Sequence, residues 1–134
     1  MDEYIKALSF YRLEKAKEDL KAAKVNYENG LYKASINRSY YAIFHAIRAV
    51  NAINKFDSKR HSGVIAYFNQ HFIHTEKFSK ELYKIVASAF KLRERCDYDD
   101  FYMVSRDQAE NQLKNAEFFI KEVERFICEH LKEK

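Results

Sequence analysis

Apolar residues recur with helical spacing along almost the whole chain. Leu13, Ala16, Leu20, Ala23 and Tyr27 alternate three and four apart and predict a helix from about Glu3 to Asn29, ended by the left-handed stop that Asn29 and Gly30 supply. Ile36, Tyr40, Ile43, Ile47 and Val50 line a second helix, predicted from about Leu31 to Asn54. Val64, Ile65, Phe68 and Phe72 predict a shorter third between Ser58 and Phe72, a stretch that Gly63 weakens as a helix. Leu82, Ile85, Val86, Ala89 and Phe90 mark a fourth from about Ser79 to Arg95. The segment CDYDDFYMV, residues 96 to 104, breaks the period and predicts a loop of carboxylates and aromatic rings. Ser105 and Gln108 then have capping-box spacing, and Ala109, Leu113, Ala116, Ile120, Val123 and Ile127 carry a last helix nearly to the end. The expected fold is all-α, an antiparallel up-and-down bundle of four long helices plus one short helix, forming one domain over residues 1 to 134.

Composition narrows the classes. No Pro and only two Gly in 134 residues, with 47% apolar and 33% charged types, exclude collagen-like, disordered and turn-rich β architectures. Ten Tyr and eleven Phe exceed what a slim bundle readily hides, and Tyr11, Phe44, Tyr67, Phe101 and Phe118 fall off the main stripes. Leftover apolar surface on a small bundle predicts an interface, here a two-fold homodimer. Cys96 and Cys128 have neither metal-site nor secreted-scaffold spacing, which points to free thiols in a reducing compartment. Asp2 and Glu3 carry the wrong sign for a signal peptide, and the run from Tyr40 to Ile47 is too short to span a bilayer. The expectation is a cytoplasmic protein with no membrane contact.

The formal net charge is only +4, but residues 31 to 95 carry twelve Lys and Arg against four acids. Such a surplus attracts polyanions, although half-solvated helices also carry Lys for solubility alone. Beside its core face the second helix presents Arg38, Tyr41, His45 and Arg48. Seven residues turn a helix through about 700°, so Arg38 and His45 point the same way about 10 Å apart along the axis. A guanidinium fork suits phosphate, and an imidazole titrating near neutrality moves protons. Together they suit metal-independent and cofactor-free transesterification, in which a ribose 2′-OH attacks the neighbouring phosphate. His45 would be the acid/base group, Arg38 would stabilise the transition state, and a two-fold interface along this stripe would supply a second pair. The alternative is that Arg38 and His45 are interface polar residues bonded to Tyr41 or to loop carboxylates.

Other residues are candidates of lesser weight. His61, after Lys59 and Arg60, either joins the basic site or caps the third helix. Asp97, Tyr98 and Asp99 follow Arg93 closely; the two carboxylates could bind a divalent ion, or serve structurally by accepting hydrogen bonds from Arg93, Arg95 or Arg38. His71 and His74 have no companion ligands at metal-site spacing, and the last helix, net negative from Asp107 onward, reads as a solvated face.

Asn37-Arg38-Ser39-Tyr40-Tyr41-Ala42-Ile43-Phe44-His45-Ala46 resembles the signature helix of HEPN domains (higher eukaryotes and prokaryotes nucleotide-binding), in the small stand-alone branch with a Tyr-Tyr-Ala-x-Phe-His core. The segments from Lys59 to Val64 and from Leu92 to Phe101 agree, so the resemblance covers roughly residues 10 to 127. It implies a helical bundle that dimerises, often paired with a minimal nucleotidyltransferase as toxin and antitoxin. It also implies an Arg-x(4 to 6)-His ribonuclease motif at Arg38 and His45; on the residues themselves, Tyr41, Arg48, Lys59, Arg60 and His61 are the candidates for holding RNA or nucleotide. Ser39, Arg93, Asp97, Tyr98 and Asp99 are read from the chain as structural supports of that site. The family's ribonucleases usually place Asn, Asp or His where this chain has Ser39. The Tyr that accepts AMP in one toxin branch is replaced here by Ile47.

Overall fold

In the computed structural model, which describes residues 2–131, the chain is helical throughout, with no strand among the described residues. The elements are α1 (Glu3–Glu28), α2 (Tyr32–Ile53), α3 (His61–Phe68), a π-helical turn (Asn69–Ile73), α4 (Lys80–Tyr98) and α5 (Arg106–Leu131). Every residue of the α2 and α5 stripes read from the sequence is buried.

The second helix is the centre of the bundle. It touches α1, α3, α4 and α5, and fourteen of its residues are buried, as befits a helix surrounded by others. Small residues let α1 lie close against it: Ser9 Oγ donates to the Ala49 carbonyl at 2.8 Å and Ser35 Oγ to the Ala23 carbonyl at 2.8 Å. These bonds satisfy hydroxyls that would be costly to bury alone.

The α1–α2 turn is set by Gly30, at φ 77°. Its amide donates to the Tyr27 carbonyl at 3.1 Å and that of Leu31 to Asn26 at 2.9 Å, the paired bonds of a Schellman stop. At the start of α5, the Gln108 amide donates to Ser105 Oγ at 3.0 Å and the Ser105 amide to Gln108 Oε1 at 2.9 Å, closing the capping box.

Three expectations are corrected. The third helix starts at His61, three residues after Ser58, and passes into a π-helical turn at Asn69 before reaching Phe72. The fourth continues through Cys96 and Asp97 to Tyr98, so the loop is shorter than read; Arg93 and Arg95 each pair with an acid four residues on, at Asp97 (2.9 Å) and Asp99 (3.5 Å), which ties down the last turn. Much of the aromatic excess is internal, because Phe68, Phe72, Phe78 and Phe119 are buried together with Phe126 against them. Phe44 is buried too, at 6%, whereas Tyr11, Phe101 and Phe118 are exposed.

Candidate active site

The site is built on the face of α2 that looks toward α1, the α2–α3 connection and the end of α4. Helical spacing puts Arg38, Tyr41, His45 and Arg48 along it, and Asp19 of α1 meets it. Asp19 Oδ1 accepts from Arg38 Nη1 at 2.9 Å, and Asp19 Oδ2 lies 3.6 Å from His45 Nε2. Arg38 also donates to Asn37 Oδ1 at 2.8 Å and stands 4.9 Å from the centre of the Tyr41 ring. Arg93 approaches Tyr41 from α4, donating to its hydroxyl at 3.2 Å. The phenol thus sits between two guanidiniums.

A cavity of about 550 Å³ opens next to this row, walled by Tyr41, Phe44, His45 and Arg48 from α2 and by Asp57, Ser58, Lys59 and His61 from the connection and α3. Gly63 lets the connection come close, since a Cβ there would meet Ser58 Oγ at 2.9 Å. His61 stacks on Phe44 with ring centres 4.0 Å apart, and its Nδ1 lies 2.8 Å from the Tyr40 hydroxyl. Burial drives the Tyr40 phenol far up, so it stays protonated and can pair with Nδ1 in either tautomer of His61.

Charge and burial tune the two histidines. His45 is pushed down to about 4, first by burial and then by Lys15, Arg48, Arg38 and Arg12. Its imidazole is therefore neutral at pH 7, and the 3.6 Å approach to Asp19 is not an ion pair there. Burial also lowers His61, helped by Arg93 and Arg48, and raises the Asp19 carboxyl against the pull of Arg38. A neutral imidazole ringed by cations can accept a proton while the cations hold an anion.

Of the residues singled out by sequence, Tyr41, His45, Arg48, Lys59 and His61 line the cavity, with Arg38 just outside beyond Tyr41. The structure brings His61 into the basic site and also makes it the first residue of α3. Arg60 is exposed and does not line the cavity. Ser39 is sealed in the core at 0% exposure, and its hydroxyl has no hydrogen-bond partner among the described residues. Asp97 and Asp99 bond along their own helix rather than to Arg38, and Tyr98 is 74% exposed. Sequence reasoning missed Asp19, Arg12 and Asp57. Asp57 is one of only four acids between residues 31 and 95, which could have marked it. No group of three or more His, Cys, Asp or Glu side chains placed to hold a metal occurs among the described residues. No helix there is long and apolar enough to cross a membrane.

Comparison with known proteins agrees with the signature helix. The chain is 35% identical over 120 residues to Putative toxin MJ0605 of Methanocaldococcus jannaschii, covering 89% of this chain and 88% of that protein. It is 33% identical over 127 residues to a UPF0332 protein of Thermotoga maritima, covering 95% and 96% of the two. A second M. jannaschii protein, Putative toxin MJ0142, is 28% identical over 115 residues, covering 86% of this chain and 78% of that one. The model of the HEPN domain matches residues 10–126, and this chain belongs to that family.

Proposed function

We propose that this chain is a toxin-like HEPN component that cleaves RNA without a metal ion, as a homodimer and alongside a minimal nucleotidyltransferase partner. One observation carries the reading: His45 stands beside Arg48 at the wall of an open cavity, with Asp19, the partner of Arg38, 3.6 Å away. The names of the two M. jannaschii relatives support the toxin-like part.

In this reading His45 takes the proton of a ribose 2′-OH, and the oxygen attacks the adjacent phosphorus. The bond from phosphorus to the 5′-oxygen breaks, and that oxygen leaves with a proton from an imidazolium. A histidine lowered to about 4 gives its proton up readily once it has taken it and is correspondingly a weaker base in the first half of the step. Arg38 holds the charge that builds on the phosphoryl oxygens. The proton that His45 takes is the one its imidazolium returns to the leaving oxygen, and a second copy across a two-fold axis would add a second Arg38 and His45 to the same groove. The test is RNA cleavage in EDTA leaving 2′,3′-cyclic phosphate ends; His45→Ala protein cutting as fast as the parent would end the assignment.

A second reading is a non-catalytic module that binds a nucleotide or docks the transferase. It is favoured by Arg38 being already paired with Asp19 and Asn37, and by Ser39 facing the core. It expects no RNA cleavage, and instead a thermal shift with nucleotide or co-purification with a transferase.

A further inference from the structure

At the edge of the cavity lies a second basic cluster that the Arg38 and His45 pair leaves unused. Arg12 of α1 and Arg48 of α2 close on a single carboxylate, that of Asp57. Arg48 grips it with two nitrogens, Nη2 to Oδ2 at 2.7 Å and Nε to Oδ1 at 3.2 Å, and Arg12 Nη2 reaches Oδ2 at 3.1 Å. Arg12 also donates Nη1 to the Arg48 carbonyl at 3.3 Å, which fixes its fork against α2. Two cations share one anion here: Arg48, Asp57 and Lys59 wall the cavity, and Arg12 reaches the carboxylate from an adjoining groove that Asp57 also lines.

The two guanidiniums differ from the carboxylate in how firmly they are held. Both sit on helices, and the Arg12 side chain is only 11% exposed. Asp57 sits on the α2–α3 connection with its side chain 45% exposed, so it is the member that can leave. Burial and then repulsion from Arg48 lower the Arg12 pKa, as expected where cations outnumber their counter-charge. Two guanidinium forks converging on one set of oxygens is also how arginines take a phosphate. Arg48 lies three residues beyond His45 on α2, so both positions open on one cavity.

We propose that Arg12 and Arg48 form a second phosphate subsite, for the nucleotide next to the scissile linkage, and that Asp57 is an internal counter-anion which an RNA phosphate displaces. The RNA assignment rests on the function proposed above; the phosphate chemistry rests on the two arginines alone.

The experiment measures binding of a 2′-O-methyl oligoribonucleotide, which lacks the attacking hydroxyl, to the intact chain by fluorescence anisotropy. Asp57→Asn should tighten binding about five- to tenfold, because the phosphate no longer competes with a resident carboxylate. Arg48→Gln should weaken it about tenfold and reduce the slope of log K against log salt by about one. A folded Asp57→Asn protein that binds no tighter overturns the proposal. A measurement on the unsubstituted chain guards against a variant that fails to fold: inorganic phosphate should shift the Arg12 and Arg48 Nε–H NMR signals together, and unmoved signals overturn the subsite. A nucleoside monophosphate serves as the parallel ligand. If it alone gains affinity in Asp57→Asn, the assignment to RNA is overturned. These binding constants do not involve the cleavage step, so a failure of His45→Ala to stop cleavage would remove the catalytic role and leave the subsite standing.

Discussion

Asp19 and Arg38 meet at 2.9 Å across the α1–α2 contact, and the same carboxylate reaches to within 3.6 Å of His45. One acid of α1 therefore spans the two turns that separate the guanidinium from the imidazole on α2. The bridge holds Arg38 over Tyr41 and keeps a negative charge beside a histidine otherwise surrounded by cations.

Removing that bridge should weaken the fold as well as the site. The Asp19 side chain is 16% exposed and its partner 37%, so Asp19→Ala leaves a partly buried guanidinium short of its anion. The expected loss is about 1–2 kcal/mol in urea unfolding, discounted for the exposure of Arg38. A variant as stable as the parent would show that the pair only positions the side chains.

The importance of Asp19 could not be read from the chain, and the reason is geometric. Periodicity along α2 is enough to align Arg38, Tyr41 and His45, because those positions depend on one helix alone. Asp19 stands among Lys15, Lys17, Glu18 and Lys21 on α1, and nothing in that spacing says which of them turns toward α2. The same limit applies to Asp97, which looked free to reach Arg38 as long as residues 96 to 104 were read as a loop. Continuing α4 through Tyr98 commits Asp97 to Arg93. The Ser105–Gln108 cap and the Asn29–Gly30 stop were legible because each depends only on near neighbours in sequence.

Acid should begin to destabilise the protein above the usual carboxylate range. His45 titrates at about 4 in the fold against about 6.5 when unfolded, so between those values the unfolded chain binds the extra proton. Stability is then intact above about 6.5 and falls as the pH drops toward about 4, by up to about 3 kcal/mol. His61 acts in the same direction, while the raised Asp19 carboxyl offsets part of the loss at the acid end. Urea midpoints at pH 7 and pH 5 should differ for the parent and much less for His45→Gln. An equal drop in both proteins would place the acid sensitivity elsewhere.

Gly30 and Lys55, two of the four left-handed residues among those described, make a matched pair. Gly30 at φ 77° has open space where a Cβ would go, so Gly30→Ala should cost about 1 kcal/mol from backbone conformation alone. Lys55 holds φ 61° just past the end of α2 with a side chain that disfavours it. Lys55→Gly should gain about 0.5–1 kcal/mol, the relief of strain less the added entropy of the unfolded chain. Thermal unfolding of both variants checks the pair; shifts of the same sign would mean that the turn geometry is not what decides them.

Ser39 is the position where the family's ribonucleases usually carry Asn, Asp or His, and here the hydroxyl is fully buried without a partner among the described residues. An unpaired buried hydroxyl is a liability of about 1–3 kcal/mol, and Ala is also the better helix former. Ser39→Ala should therefore raise stability by about 1 kcal/mol and leave RNA cleavage unchanged, since the side chain points away from the cavity that His45 lines. A Ser39→Ala protein that unfolds more readily, or cuts RNA more slowly at full fold, would mean that the hydroxyl acquires a partner only in the assembled or RNA-bound state.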